Sequence, residues 1–373
     1  MNILFTPIKI NNLEVPNRFV RSATYDAGAE NGCVSEWQIQ LLATLAKARV
    51  GLVMSGIFHV SDLNGKTSPL QNLLTHDRFI PGLRNLADAV HEEGSKLAVQ
   101  LFHPGRESYR RLHPLGIEAA GPSALKVGED PYFEGSCREM TSDEIWAIVR
   151  GFGDAARRAQ EAGCDAVQVH GAHAYLLGEF LSPQSNHRDD EWGGSLENRM
   201  RLHAEICRSV RAKVGPEFPV MIKLGVQDAF PHGLEFEEGL KVAVQLAGIG
   251  YDSIEVSSGL RGVKWQQTEF QDKIIKRERE AYFRDWARQV KEQVSVPVMM
   301  VGGLRSLGLM EEVVAGKEAD FVSLCRPLIR EPGLVASWQS GRHQRPACVS
   351  CNKCFENVVR GNRLRCMING KRK

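Results

Sequence analysis

No apolar run in this 373-residue chain approaches the roughly 20 residues needed to cross a bilayer, so no membrane-spanning helix is expected. The first residues, Met1-Asn2-Ile3-Leu4-Phe5, lack the basic start and long apolar stretch of a secretory signal, and the expected location is the cytoplasm. Charge of one sign is missing too. Lys+Arg 47 against Asp+Glu 45 gives a net +2, which offers no general drive toward nucleic acid or a membrane surface and leaves a small molecule as the expected partner. Nor is there a disulfide framework. The nine cysteines are an odd number, and five of them (Cys33, Cys137, Cys164, Cys207, Cys325) stand singly. Low-complexity segments and internal sequence repeats are also absent. What remains is an ordinary globular composition, 43% hydrophobic and 25% charged, with enough chain for a large core.

Short apolar runs bounded by turn residues predict strands at Arg18–Ser22, Gly51–Ile57, Lys96–Phe102, Asp165–His170, Pro219–Gly225, Ser253–Ser257, Pro297–Val301 and Asp320–Leu324. Amphipathic segments alternate with them: Trp37–Ala48, Pro81–Glu93, Ser142–Ala162, Glu197–Val214, Phe236–Leu246, Ala281–Val294, Leu307–Ala315 and Pro332–Ser337. Runs such as Asp165-Ala166-Val167-Gln168-Val169-His170 suit strands covered on both faces. Eight strand–helix repeats favour an α/β fold of the (β/α)8 TIM barrel type over an open doubly wound sheet, which would show the same runs. The expected organisation is a barrel over 1–340 and a short cysteine-containing extension over 341–373. Two insertions, Phe102–Thr141 and Gly171–Asn198, follow the third and fourth strands and should lie over the catalytic end.

Residues at strand exits carry the chemistry of such a barrel. Gly302-Gly303 after the seventh strand, with a helix starting near Ser306, offers bare backbone N–H groups to an anion, and Cys325-Arg326 after the eighth adds a guanidinium. A tight turn is the plainer reading of the glycine pair. His170 and His173 have no third ligand set by spacing, which argues against zinc. They read either as ordinary loop histidines or as a pair gripping an oxygen that develops negative charge, with Tyr175 beside them as a proton donor. Lys223, on the apolar strand Val220-Met221-Ile222-Lys223-Leu224, is costly inside a barrel unless it faces a negative charge or snorkels to the rim. Gln100, near the end of the third strand, offers both a donor and an acceptor.

Longer motifs add a family resemblance: Leu4-Phe5-Thr6-Pro7, Val15-Pro16-Asn17-Arg18, Val99-Gln100-Leu101-Phe102-His103-Pro104-Gly105-Arg106 and, above all, the run from His170 to Arg201 with Glu179-Phe180-Leu181-Ser182-Pro183 and Trp192-Gly193-Gly194-Ser195-Leu196-Glu197-Asn198-Arg199. Over essentially its whole length the chain resembles the Old Yellow Enzyme family of NAD(P)H:flavin oxidoreductases. The resemblance implies non-covalent FMN, reduced by NADH or NADPH and reoxidised by an α,β-unsaturated carbonyl compound. It makes Gln100 and Lys223 ligands of the flavin edge, and Gly302, Gly303, Cys325 and Arg326 its phosphate end. His170 and His173 become the carbonyl grip and Tyr175 the proton donor to the α-carbon. Ala23, Thr24, Tyr25, Ile57 and Ser258 complete the expected cofactor surroundings. Tyr25 stands where relatives often carry Cys or Thr, and Ile57 where a small residue is frequent. Homo-oligomers are common in the family.

The remaining cysteines, Cys348-x-x-Cys351-x-x-Cys354 and Cys366, could bind zinc or an iron–sulfur cluster, or stay free. With Asn352 after the second of them, the box is similar to the 4Fe-4S motif of the dienoyl-CoA reductase and trimethylamine dehydrogenase branch. Because the sequence ends at Lys373 without a second nucleotide-binding region, electrons are expected to come from a separate protein. The leading expectation is an ene-reductase. The alternatives are amine or methyl-group oxidation, and an electron-transfer subunit whose partner carries the substrate site.

Overall fold

A computed structural model of the chain describes residues 2–63, 68–108, 113–342 and 344–368. Its main sheet is built on β1 (Phe19–Arg21), β2 (Leu52–His59), β3 (Lys96–Phe102), β4 (Ala166–Gly171), β5 (Val220–Gly225), β6 (Ser253–Ser257), β7 (Val298–Met300) and β8 (Phe321–Leu324). All neighbours run parallel, and β1 pairs with both β8 and β2, which closes the barrel and rules out the open sheet. Each strand falls where its apolar run placed it, β2 continuing to His59. A two-residue strand, Asn72–Leu73, adds to the end of β2.

The barrel helices are α1 (Glu36–Lys47), α2 (Ile80–Glu92), α3 (Ser142–Glu161), α4 (Arg201–Val214), α5 (Phe236–Ile249), α6 (Arg284–Gln293), α7 (Leu307–Ala315) and α8 (Leu334–Gln339). Reciprocal capping boxes start two of them, Ser35 with Gln38 and Thr141 with Glu144. Two expected helices depart from their patterns. The one from Glu197 is divided at Met200 into a single turn, Leu196–Arg199, and α4. The one from Ala281 begins at Arg284, because Ala281 takes a left-handed conformation (φ 53°) that turns Tyr282 and Phe283 toward the barrel mouth.

Side-chain alternation stratifies the barrel interior. Val20, Leu52, Met54, Ala98, Ala166, Met221, Met299 and Phe321 form an apolar floor, closed below by Ile10 and Val15 of an N-terminal hairpin. Two residues further along the strands, on the same face, come Ser22, Gln100, Gln168, Lys223, Glu255 and Ser323, all buried. A polar belt thus lies directly above an apolar floor. The mouth is roofed by the loops after β3 and β4, by a third long segment between β6 and α6 that the sequence pattern did not mark as an insertion, and by the C-terminal segment. Residues 109–112 of the first insertion lie outside the described residues. The C-terminal segment is joined to the barrel top: Val358 and Leu364 pack with Ala27, and the Leu364 N–H donates to the Asp26 carbonyl at 2.8 Å.

Gly239 in the first turn of α5 has no room for a side chain, since a Cβ there would stand 1.9 Å from the Val226 carbonyl oxygen at the end of β5. Gly239→Ala should therefore cost about 1–3 kcal/mol through forced displacement of helix from strand. A urea midpoint equal to that of the unaltered protein would show that α5 can move freely.

Candidate active site

Apart from Ser323, the polar belt is a single hydrogen-bonded network. Gln100 Nε2 donates to Gln168 Oε1 (2.7 Å), and Gln168 Nε2 donates to Glu255 Oε2 (2.9 Å). Ser22 Oγ donates to Glu255 Oε1 (2.8 Å). Lys223 Nζ donates to Ser22 Oγ (2.8 Å) and lies 3.2 Å from Glu255 Oε2. Lys223 therefore does face a negative charge, but the protein supplies one. Glu255 was not singled out from the sequence, although a carboxylate in Ser253-Ile254-Glu255-Val256-Ser257 breaks an apolar strand just as Lys223 does.

Above the belt, His170 ends β4 and His173 follows in the loop, their rings 5.0 Å apart and nearly perpendicular. His173 and Ala174 both adopt left-handed backbone (φ 61° and 60°), an unfavourable pair for non-glycine residues that turns the His173 ring toward β6. There Nε2 meets Ser257 Oγ at 2.7 Å, while Nδ1 lies 3.7 Å from Glu269. His170 Nδ1 is buried with no partner among the described residues. Burial holds both imidazoles well below their ordinary pKa, reinforced for His170 by His173 and Lys223 and for His173 by Lys223 and Arg261. Tyr175 stands 5.1 Å from the His170 ring and packs edge-on against Phe102. Its phenol is pushed up by burial, an effect partly offset by the cationic Arg261 whose guanidinium lies 5.1 Å over the ring. Arg261 is itself held by Glu269 in a bidentate pair at 2.7–3.0 Å. Both belong to the unpredicted segment after β6, where no periodicity flags an inward side chain.

These residues surround two adjoining hollows. One, about 790 Å³, is lined by Ala23, Thr24, Tyr25, Ile57, Gln100, His170, His173, Tyr175, Lys223, Cys325 and Arg326, all expected, and also by Arg261, Glu269 and Phe270. The other, about 620 Å³, shares Ala23, His173, Lys223, Cys325 and Arg326 and runs to Gly302 and Gly303. Both glycines have positive φ (120° and 70°), and a Cβ on Gly303 would stand 2.8 Å from the Tyr282 ring, so bare backbone is required there. Ser323 Oγ, buried on this wall, has no partner among the described residues. Cys325 Sγ lies 3.1 Å from Thr24 Oγ1. One terminal nitrogen of Arg326 is taken by Gln271 O (2.8 Å) and Asn352 Oδ1 (2.7 Å), so this side chain also joins the C-terminal segment to the mouth.

Ser258 falls elsewhere. It lines a separate hollow with Gln227 and Phe283, while Ser257, one residue earlier, lines the mouth. A one-residue offset at a strand end exchanges inward for outward.

The four C-terminal cysteines face one small hollow, with Arg330 Nη1 4.0 Å from Cys366 Sγ, and Cys354 also lines the larger hollow. Among the described residues no three His, Cys, Asp or Glu side chains are close enough to hold a single metal ion.

A barrel whose seventh and eighth strands lead to a glycine-lined anion site, with an amide and an ammonium buried beside it, is built for a phosphorylated ring cofactor. Comparison with known proteins makes this specific: the chain belongs to the NADH:flavin oxidoreductase / NADH oxidase family, whose sequence pattern matches residues 3–345. It is similar to an NADH oxidase of Thermoanaerobacter brockii (32% identical, covering 98% of this chain and 56% of that protein). An NADPH dehydrogenase of Geobacillus sp. is 34% identical, covering 88% of this chain and 92% of that one. The solved structure of 2-naphthoyl-CoA reductase superposes with a TM-score of 0.90 at 30% identity, over 98% of this chain and 57% of that one. The chain thus spans about half the length of the first of the curated relatives it matches. The family's FMN fits the residues present: the Ser323 hydroxyl, unpartnered among the described residues, and the side-chain-free Gly302-Gly303 line the smaller hollow, Gln100 lines the larger, and Lys223 lines both.

The depressed imidazoles make a pH prediction. In the unfolded chain His170 and His173 take up protons near pH ~6.5, whereas in the fold they stay neutral well below that. Their contribution to stability is fully present above that pH and is lost progressively as pH falls. Histidine-labelled NMR spectra should show both rings still neutral at pH ~6.5, where an unperturbed imidazole is half protonated. A titration of either ring centred near ~6.5 would contradict the assignment.

Proposed function

We propose that the protein is an FMN-dependent ene-reductase that takes reducing equivalents from NADH or NADPH and delivers them to an alkene conjugated to a carbonyl, as in an enone, enal or enoyl thioester. The observation that carries this reading is the mouth, where two imidazoles held neutral stand beside a buried phenol that keeps its proton. Bound FMN supplies, at its N5, a site that accepts hydride from the nicotinamide and passes it to the substrate β-carbon. Gln100 and Lys223 are assigned to its ring edge. Backbone N–H groups at Gly302 and Gly303, the Ser323 hydroxyl and Arg326 are assigned to its phosphate end.

His170 and His173, which both line the larger hollow, hold the substrate carbonyl oxygen through ring N–H groups. As negative charge grows on that oxygen, ring N–H donors meet it directly, and the Lys223 and Arg261 cations favour it at longer range. Tyr175 then gives its proton to the α-carbon. A phenol raised by burial remains loaded with that proton across the neutral range, and the nearby guanidinium stabilises the phenolate left behind. The wall made by Tyr25, Ile329, Phe355, Val358 and Leu364 suits a bulky apolar substrate better than a hydrophilic amine. The names of the similar proteins, an NADPH dehydrogenase and a reductase of an aromatic acyl-CoA, support both the reductant and a thioester as substrate.

A second assignment concerns the C-terminal cysteines. Cys348, Cys351, Cys354 and Cys366 share a hollow, and we assign it to a 4Fe-4S cluster, each of whose irons takes one thiolate. Such a cluster would exchange single electrons with the flavin. The barrel over 1–340 and the segment over 341–373 are read as the catalytic and the cluster-bearing parts.

Tyr175→Phe should leave flavin reduction by NAD(P)H intact and slow reoxidation by cyclohexenone ~100-fold or more. Equal stopped-flow rates for the two proteins would remove Tyr175 from the mechanism. Anaerobically purified protein should carry about four iron and four sulfide per chain, both lost in Cys351→Ala; zinc, or no metal, in the unaltered protein would exclude the cluster.

A further inference from the structure

We infer that Glu255 is a positioning residue for the cofactor site: its negative charge sets the direction of the amide chain ending at Gln100 and offsets part of the Lys223 charge. It would thereby control how the belt meets the ring edge and how strongly it favours a reduced, anionic ring. This rests on the reading of the joined hollows as the FMN site.

The direction follows from donors and acceptors alone. An ionised carboxylate only accepts hydrogen bonds. Glu255 Oε2 therefore requires the Nε2 end of Gln168, as found at 2.9 Å. That leaves Gln168 Oε1 to face Gln100, which must answer with its own Nε2, at 2.7 Å. Gln100 consequently keeps its Oε1 for the hollow, as an acceptor suited to a ring N–H. Reversing either amide would set oxygen against oxygen in a site with no water to mediate, since Gln168 and Glu255 are completely buried and Gln100 is 2% exposed. Glu255 thus fixes which end of Gln100 is presented, across β6, β4 and β3, without lining the hollow itself.

The second effect is electrostatic. Of the three Lys223 donors, one goes to Ser22 Oγ and one faces Glu255, so a single N–H and a partly balanced charge remain for the hollow. Ser22 in turn donates to Glu255 Oε1, which leaves both carboxylate oxygens engaged. A bare ammonium in this position would favour an anionic reduced ring more strongly than the present pair does.

Two substitutions separate these effects. In Glu255→Gln the Lys223 charge is no longer offset, and at a fixed poise against a reference dye the ratio of reduced to oxidised flavin should rise about tenfold, a midpoint shift of about +30 mV. Glu255→Asp retains the charge and should restore the original midpoint. Gln168→Leu breaks the amide chain and leaves the ion pair; the midpoint should stay put, while the Kd of the apoprotein for FMN, from fluorescence quenching, should rise about tenfold. An unchanged midpoint in flavin-loaded Glu255→Gln would overturn the inference. Should that variant fail to fold, Gln168→Leu decides, and FMN affinity equal to that of the unaltered protein would overturn it. Unaltered apoprotein that takes up no FMN would instead defeat the proposed function itself.

Discussion

An ammonium and a carboxylate locked together inside a closed barrel are the constraint around which the rest of this molecule is arranged. Both partners are buried, the Lys223 and Glu255 side chains being 3% and 0% exposed. Removing one partner from such a pair costs about 3–5 kcal/mol, because the other charge is left buried alone. The pair is tolerated because Ser22 and Gln168 engage both carboxylate oxygens, and Gln100 extends the chain to the hollow. Hydrophobic residues of similar size would have packed the barrel at least as stably. A polar layer in this place makes sense as a surface for a ligand above it, with the apolar floor beneath supplying the stability.

That division explains how chemistry and stability are separated along each strand. On β5, Met221 belongs to the floor and Lys223 to the belt; on β3, Ala98 and Gln100 stand in the same relation. Two residues of rise, about 6–7 Å, suffice to pass from sealed core to reactive surface. Loops then add what strands cannot. The left-handed pair His173-Ala174 carries an imidazole across the mouth to Ser257, a placement that regular strand or helix geometry after β4 would not give.

The strands were legible because a strand covered on both faces reads as a short, nearly continuous apolar run bounded by turn residues. The same rule exposed Lys223, and applied evenly it would have exposed Glu255 as its partner. Gln100, His170, His173, Tyr175 and the Gly302-Gly303 turn were found because they sit at or just beyond strand ends, where fold alone specifies direction. Ser258, one residue beyond the mouth-lining Ser257, lines a neighbouring hollow and meets the mouth through its carbonyl, which accepts from the His173 N–H, because at a strand end a single step changes the face. Arg261, Glu269 and Phe270 were invisible, since they lie in a long irregular segment whose inward side chains follow no period and are defined only by what they meet: Tyr175, His173 and the C-terminal segment. The break at Met200 and the late start of α6 were missed because hydrophobic pattern reports which face is buried and says little about where a backbone turn interrupts it.

The C-terminal segment is the place where reading by parts fails most clearly. From sequence it looks like an appendage defined by four thiols. In the fold, Asn352, between the second and third cysteines, donates to the Phe270 carbonyl and accepts from Arg326, so it ties the thiol loop to the segment after β6 and to the exit of β8. Phe355 meets the Phe270 ring at 4.5 Å, and with Val358 and Leu364 it walls the larger hollow. Cys354 lines that hollow and the thiol hollow alike. Any group held by the thiols is therefore one side chain away from whatever occupies the barrel mouth, and the elements that hold it also shape the substrate cavity. In a contact network this tight, displacing the thiol loop must displace Asn352, and with it the carbonyl and guanidinium that order Phe270 beneath Arg261. Wall and thiol box are one packed unit, so the shape of the larger hollow and the placement of the thiols cannot vary independently.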